Sequence, residues 1–144
     1  MPNRTIREIV AKRKVVSAPS KTTVAHAARL MEDNQVGALL VMEKGRLVGI
    51  FTERDALFRV LSAGRDPRTT PLSEVMTRDP QSIQPDKAFG HAMLMMYEGG
   101  FRHVPVVEKG HPLGVVSTRD ALGPELQEFE SQLSNREHIR EILG

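Results

Sequence analysis

Two short stretches carry a hydroxyl, a guanidinium and a carboxylate at one spacing: GIFTERD at 49–55 and GVVSTRD at 114–120. In each, a glycine and two apolar residues read as the end of a strand, and Thr or Ser as the opening of a helix. Free helix amides and the positive end of the helix dipole attract an anion there. The hydroxyls of Thr52 and Ser117 and the guanidinia of Arg54 and Arg119 add donors suited to phosphate. Asp55 and Asp120, one turn in, can accept two hydrogen bonds at once from the vicinal hydroxyls of a ribose. The same residues also read as two capping boxes with two surface ion pairs, since Asp55 stands three positions after Thr52 and Asp120 three after Ser117.

Other chemistry is poorly provided for. The 144 residues include no cysteine, which removes disulfides, thiolate nucleophiles and Cys-based metal sites. The five histidines, at 26, 91, 103, 111 and 138, include no pair four apart that would put two ligands on one helix face, so no metal site is expected. Neither GxxxxGK[ST] nor GxGxxG occurs, and an enzyme is not expected. A formal charge of +2 from interleaved acids and bases does not mark a nucleic-acid or membrane surface, and one Tyr and five Phe give little for bases to stack on. The longest apolar run, 36–42, is far short of a membrane span, and the first residues lack a signal-peptide apolar core. A cytoplasmic location is the expectation.

The elements that position these groups come in two copies. VGALLVMEKGRLVGIFTERDAL at 36–57 returns as FRHVPVVEKGHPLGVVSTRDAL at 101–122, at an offset of 65 that also relates His26 to His91, Met31 to Met96 and Ser17 to Ser82. Two copies of a unit too small to bury its own apolar face should pack on each other. In the first copy, 5–10 reads as a helical turn and 14–17 as an extended piece. A helix capped by Thr22 or Thr23 follows, with its stripe at Val24, Ala27, Ala28, Leu30 and Met31. Residues 38–42 and 47–51 read as a β-hairpin around Glu43-Lys44-Gly45-Arg46. The helix opened by Thr52 should turn Ala56, Leu57, Val60 and Leu61 inward and end at Gly64.

Residues 65–71 are polar and turn-rich, so the division is 5–64 for the first repeat with its lead-in, 65–71 for a linker, 72–123 for the second repeat and 124–144 for a helical appendage. The second copy predicts a helix over 86–98 whose Met93, Met95 and Met96 fill the core, strands at 103–107 and 113–116, and a short helix after Ser117 ended by Gly123-Pro124. In the appendage Leu126, Phe129 and Leu133 share a stripe from which Ile139, Ile142 and Leu143 slip, and Ser134 to Glu137 spell a capping box, which predicts a break near Ser134.

The hairpin ending in Gly-apolar-apolar-Thr/Ser-x-x-Asp, with VPVVEKG before that motif in the second copy, and the duplication at 65 residues together resemble the tandem cystathionine-β-synthase (CBS) domain, or Bateman module, over residues 5–123. The resemblance implies an α+β fold of two β-α-β-β-α repeats whose small sheets pack about a pseudo-twofold axis. It also implies two clefts for adenosine-containing ligands: AMP, ADP, ATP, NAD or S-adenosylmethionine. Asp55 and Asp120 match the family's ribose-binding acids, and Thr52 and Ser117 the hydroxyls beside them. Val16 and Val36 match the adenine slot of a principal cleft completed by Ser117, Arg119 and Asp120, with Arg102-His103 as the basic pair that points to phosphate. The second cleft takes Gln81 and Phe101 with Gly37, Thr52, Arg54 and Asp55, and Gly37-Ala38 in place of a basic pair.

The expectation is therefore a stand-alone regulatory protein that binds an adenosine ligand and signals to a client protein by a change of conformation or assembly, with no catalytic cofactor. The chain is expected to pair as a homodimer through apolar helix faces such as Val60-Leu61 and Met95-Met96. A structural dimerisation module with vestigial clefts is the alternative.

Overall fold

The computed structural model describes residues 4–143, and the side-chain surroundings of residues 4–137. Helix α1 (Ile6–Val10), capped by Thr5, leads into strand β1 (Ser17–Ala18) and helix α2 (Val24–Asp33), whose N-cap Thr23 accepts from the His26 amide. The hairpin β2 (Ala38–Glu43) and β3 (Arg46–Thr52) follows, then α3 (Glu53–Asp55), which widens into a π-helical segment, Ala56–Leu61. The second repeat is α4 (Leu72–Val75), β4 (Thr77–Arg78), α5 (Phe89–Gly99), the hairpin β5 (His103–Glu108) and β6 (His111–Ser117), and a 3₁₀ turn, Thr118–Asp120. Helix α6 (Gly123–Leu143) closes the chain.

The repeat offset reappears in the pairing. Both hairpins turn on a Lys-Gly pair with positive φ at both residues, 50° and 76° at Lys44-Gly45 and 52° and 81° at Lys109-Gly110. This is the I′ conformation that suits the right-handed strand twist. Each hairpin also slips register once, between Val41 and Met42 and between Val106 and Val107. Ala18 pairs in parallel with Val41, as Ile83 does with Val106, so the four-stranded sheet β1-β2-β3-β4 and the two-stranded sheet β5-β6 are built on one plan.

Period-two alternation decides what each strand face buries. Leu39, Val41 and Phe51 enter the first core beneath α2, with Val24, Ala27 and Met31. Ala38, Leu40 and Ile50 point the other way and meet Val15 and Val115 between the two halves. A strand covered on both faces has no use for polar residues, which is why 38–42 is an unbroken apolar run.

The lead-in segments cross over. Ile6 and Val10 lie in the core of the second half with Ile83, Phe89, Met93 and Val104, while Leu72, Val75 and Met76 complete the core of the first half. Backbone bonds hold each exchange: Ile6 N–H donates to Lys87 O and Leu72 N–H to Thr22 O. Residues 65–71 lie against the start of α2 through Val24 N–H to Thr70 O and Ala25 N–H to Pro67 O, and Thr70 is buried.

Several local expectations are corrected. α5 begins at Phe89, not at 86, because Ala88 is drawn into a bridge with Thr5. Gly123-Pro124 opens α6 and does not close a helix, since proline has no amide hydrogen to lose in a first turn. α6 runs through Ser134 without a break; Ser134 and Asn135 are exposed on it, where neither breaks the backbone ladder. The side chains of Ile139, Ile142 and Leu143 fall outside the described residues. After Thr52 the π winding keeps Ala56 and Val60 against the first core and turns Leu57 and Leu61 outward, 48% and 72% exposed. Gly64, with φ 71°, ends that segment as expected: Arg65 N–H returns to Val60 O. Met93 and Met96 are buried and Met95 packs against the same cluster, as a core-filling stripe should.

Candidate functional site

A cleft of about 480 Å³ opens between the halves, within the range of small-molecule sites. Its apolar wall is Val15, Val16 and Val36, supplied by the lead-in strand and the loop after α2. The same cleft is lined by Ser117, Arg119 and Asp120, at the junction of β6 with the 3₁₀ turn, and by His103 from the start of β5. Val16, Val36, His103, Ser117, Arg119 and Asp120, far apart in the chain, are therefore brought to one cavity. Arg102 is exposed, and its carbonyl accepts from Thr118 N–H; its side chain is not among the lining groups.

Asp120 is held from two directions. Its Oδ2 accepts from Ser117 N–H at 2.8 Å as half of a capping box. From the lead-in, Arg13 grips both carboxylate oxygens, Nη1 to Oδ2 at 2.9 Å and Nη2 to Oδ1 at 2.5 Å, and reaches Val115 O at 3.2 Å. Behind the turn, Arg4 donates to Asp120 O at 2.7 Å while its fork holds Glu125 at the start of α6, keeping that carboxyl below its ordinary range. The helix expected after Ser117 is only a three-residue turn, so it has little dipole to offer an anion. Phosphate would have to be met by side chains, and Arg13, Lys14 and Arg119 line the cleft.

Arg13, Lys14 and Glu53 went unnoticed in the sequence. One signal was available for Arg13: the repeat offset places it on Arg78, a second arginine in a lead-in, although that guanidinium donates to Ser73 O in α4 and not to an acid. Glu53 enters because Gly37 lets it. A Cβ on Gly37 would lie 2.1 Å from Glu53 Oε1 and 3.2 Å from His103 Nε2, so the bare backbone is what admits both side chains. Gly37 was expected in the other cleft. It lines this one instead, because its carbonyl takes the Glu53 amide and so sits at the mouth of the β3–α3 junction facing β5.

The remaining residues of the second cleft are engaged elsewhere. Asp55 is buried, with Oδ2 accepting from Thr52 N–H (3.0 Å) and Thr52 Oγ1 (3.2 Å) and Oδ1 facing Thr77 Oγ1 and Arg59 Nε at 3.4 Å each. Arg54 donates to Gly100 O and lies over the Phe58 ring. Phe101 packs on the second core and Gln81 is exposed. One reason for the asymmetry is local: Arg59 follows Asp55 by one helical turn, whereas the offset puts Pro124 at the corresponding place after Asp120.

Burial pushes the His103 imidazole below its ordinary pKa, opposed by Glu53 and Asp120 and reinforced by Arg102 and Arg119. A depressed folded value means the unfolded chain binds the proton more readily. The contribution of His103 is thus fully present above about pH 6.5 and is lost as pH falls through the lower folded value. Thermal melts of His103→Gln should accordingly lose less midpoint than the wild type between pH 7 and pH 5; parallel losses would place the sensitivity elsewhere.

Among the described residues there is no cluster of three or more His, Asp or Glu placed to bind a metal, and no helix long and apolar enough to cross a membrane.

The family model of the CBS domain matches twice, at residues 6–62 and 72–123. The CBS domain-containing protein YhcV of Bacillus subtilis is 35% identical over 107 residues, covering 74% of this chain and 76% of that protein. The CBS domain-containing protein CBSCBSPB1 of Arabidopsis thaliana is 33% identical over 110 residues, 76% of this chain but only 20% of the plant protein. This chain thus spans about a fifth of the length of such plant relatives. Among solved structures, the CBS domain protein PAE2072 from Pyrobaculum aerophilum, complexed with AMP, superposes with a TM-score of 0.77 at 26% identity, covering 89% of this chain and 99% of that one.

Proposed function

The chain belongs to the CBS-domain family, with two CBS domains over residues 6–62 and 72–123, and we propose from this that it is a regulatory protein, not an enzyme, whose cleft at Asp120 takes an adenosine-containing ligand. One observation carries the reading: the apolar Val16 and Val36, the carboxylate of Asp120 and the cations Arg13, Lys14 and Arg119 all line the same 480 Å³ space. That is the chemistry that receives a flat base, a vicinal diol and a phosphate. The AMP complex of PAE2072 supports the class. AMP, ADP, ATP, NAD and S-adenosylmethionine all share the adenosine part.

The signal passes to a client protein by a change of conformation or assembly, and the chain acts as a homodimer. Of the expected faces, Val60-Leu61 and Met95-Met96, Val60 and Met96 are buried and Leu61 is exposed; Leu61 with Leu57, Phe58 and Tyr97, each exposed by about half or more, supplies the apolar surface for pairing. The structural-module reading draws on one fact, that Asp120 is already paired with Arg13.

Native mass spectrometry of the protein mixed with AMP tests both parts. The expected spectrum is a dimer carrying AMP. Ligand-free ions at millimolar AMP contradict nucleotide binding, and monomers throughout the micromolar range contradict pairing.

A further inference from the structure

Arg13 comes from the lead-in, ends in the cleft, and spends both terminal nitrogens on Asp120, the carboxylate assigned to the ribose. Asp120 has little else to give: Oδ2 is shared with the Ser117 amide, and its side chain is 11% exposed against 40% for Arg13. A diol cannot bind Asp120 in its two-point mode while the fork is in place. Binding is then an exchange in which a neutral diol replaces a charged partner, and the displaced guanidinium must find another acceptor.

We infer that Arg13 is a specificity-determining residue that selects phosphorylated adenosine over the bare nucleoside by exchanging the Asp120 carboxylate for the ligand's phosphate. This rests on the proposed reading of the Asp120 cleft. The 5′-phosphate of a nucleotide whose diol sits on Asp120 lies one furanose ring away, within the sweep of the same side chain. An AMP molecule therefore breaks one charge-assisted pair and makes another. Adenosine gains the diol contact but leaves the displaced guanidinium to water, with no phosphate to take it. The vestigial-cleft reading treats the Arg13–Asp120 pair as a closed lock; here the same pair acts as a filter.

The test is calorimetric titration of AMP and of adenosine into the wild type, Arg13→Ala and Arg13→Lys. In the wild type AMP should bind at least about tenfold tighter than adenosine. Arg13→Ala should tighten adenosine and weaken AMP, so that the ratio of the two dissociation constants falls by about tenfold or more. Arg13→Lys keeps the charge without the fork and should retain a ratio between the other two. An unchanged ratio in both variants, or adenosine no tighter in Arg13→Ala, overturns the inference while leaving nucleotide binding intact. Failure of the wild type to bind AMP at all overturns the cleft reading and the inference with it.

Discussion

Replacing Ile6 by alanine is expected to lower the unfolding free energy by about 2–5 kcal/mol, with a fall in melting midpoint on the order of 10 °C. Ile6 is completely buried, although it stands near the beginning of the chain. It packs among Phe89, Ala92, Met93 and Val104, all from the second repeat, and its amide donates to Lys87 O. Removing most of the side chain leaves a cavity between two parts of the chain that meet only in the folded state, and α1, with five residues, is too short to stand as a helix by itself. Urea unfolding measures the loss. Leu61→Ala, at a position 72% exposed, provides the contrast and should move stability by less than about 0.5 kcal/mol. Equal, small effects for both would show that the lead-in does not belong to the second core.

Asp55→Ala is the second large loss, about 2–4 kcal/mol, and its origin is polar. The buried carboxylate satisfies the Thr52 amide and hydroxyl and faces Thr77 Oγ1 and Arg59 Nε. Alanine leaves the Thr52 amide without its capping partner and the junction of α3 and the π segment without its anchor. Arg59 also holds Met76 O, so the β4 side of the first core loosens with it. The corresponding Asp120→Ala should cost less in stability, since its main partner, Arg13, is 40% exposed and can turn to water. Denaturant midpoints that fall equally for the two variants would contradict this division of labour.

The two acids occupy identical motifs, and that is why the sequence alone treats them alike. What separates them is written at positions the motif does not include: Arg59 against Pro124 on the far side, and Arg13 arriving from more than a hundred residues away. The hairpins, their Lys-Gly turns and both capping boxes were legible because each is decided within a few residues. The crossed lead-ins were not, because a five-residue helix with three apolar positions says nothing about which core receives them. Likewise, the capping-box pattern at Ser134 to Glu137 is a local preference that a continuing helix overrides. The displacement of Gly37 into the Asp120 cleft depends on the two halves meeting face to face, a fact of packing with no local signature.

The most direct measurement is a calorimetric titration of AMP into the wild type, Asp120→Ala and Asp55→Ala, at a temperature where all three are folded. With Asp120 as the ribose acid, Asp120→Ala should weaken AMP by about tenfold to a hundredfold, and Asp55→Ala should leave the tight binding event nearly intact. Loss of that event in Asp55→Ala with its retention in Asp120→Ala would contradict the assignment of the site.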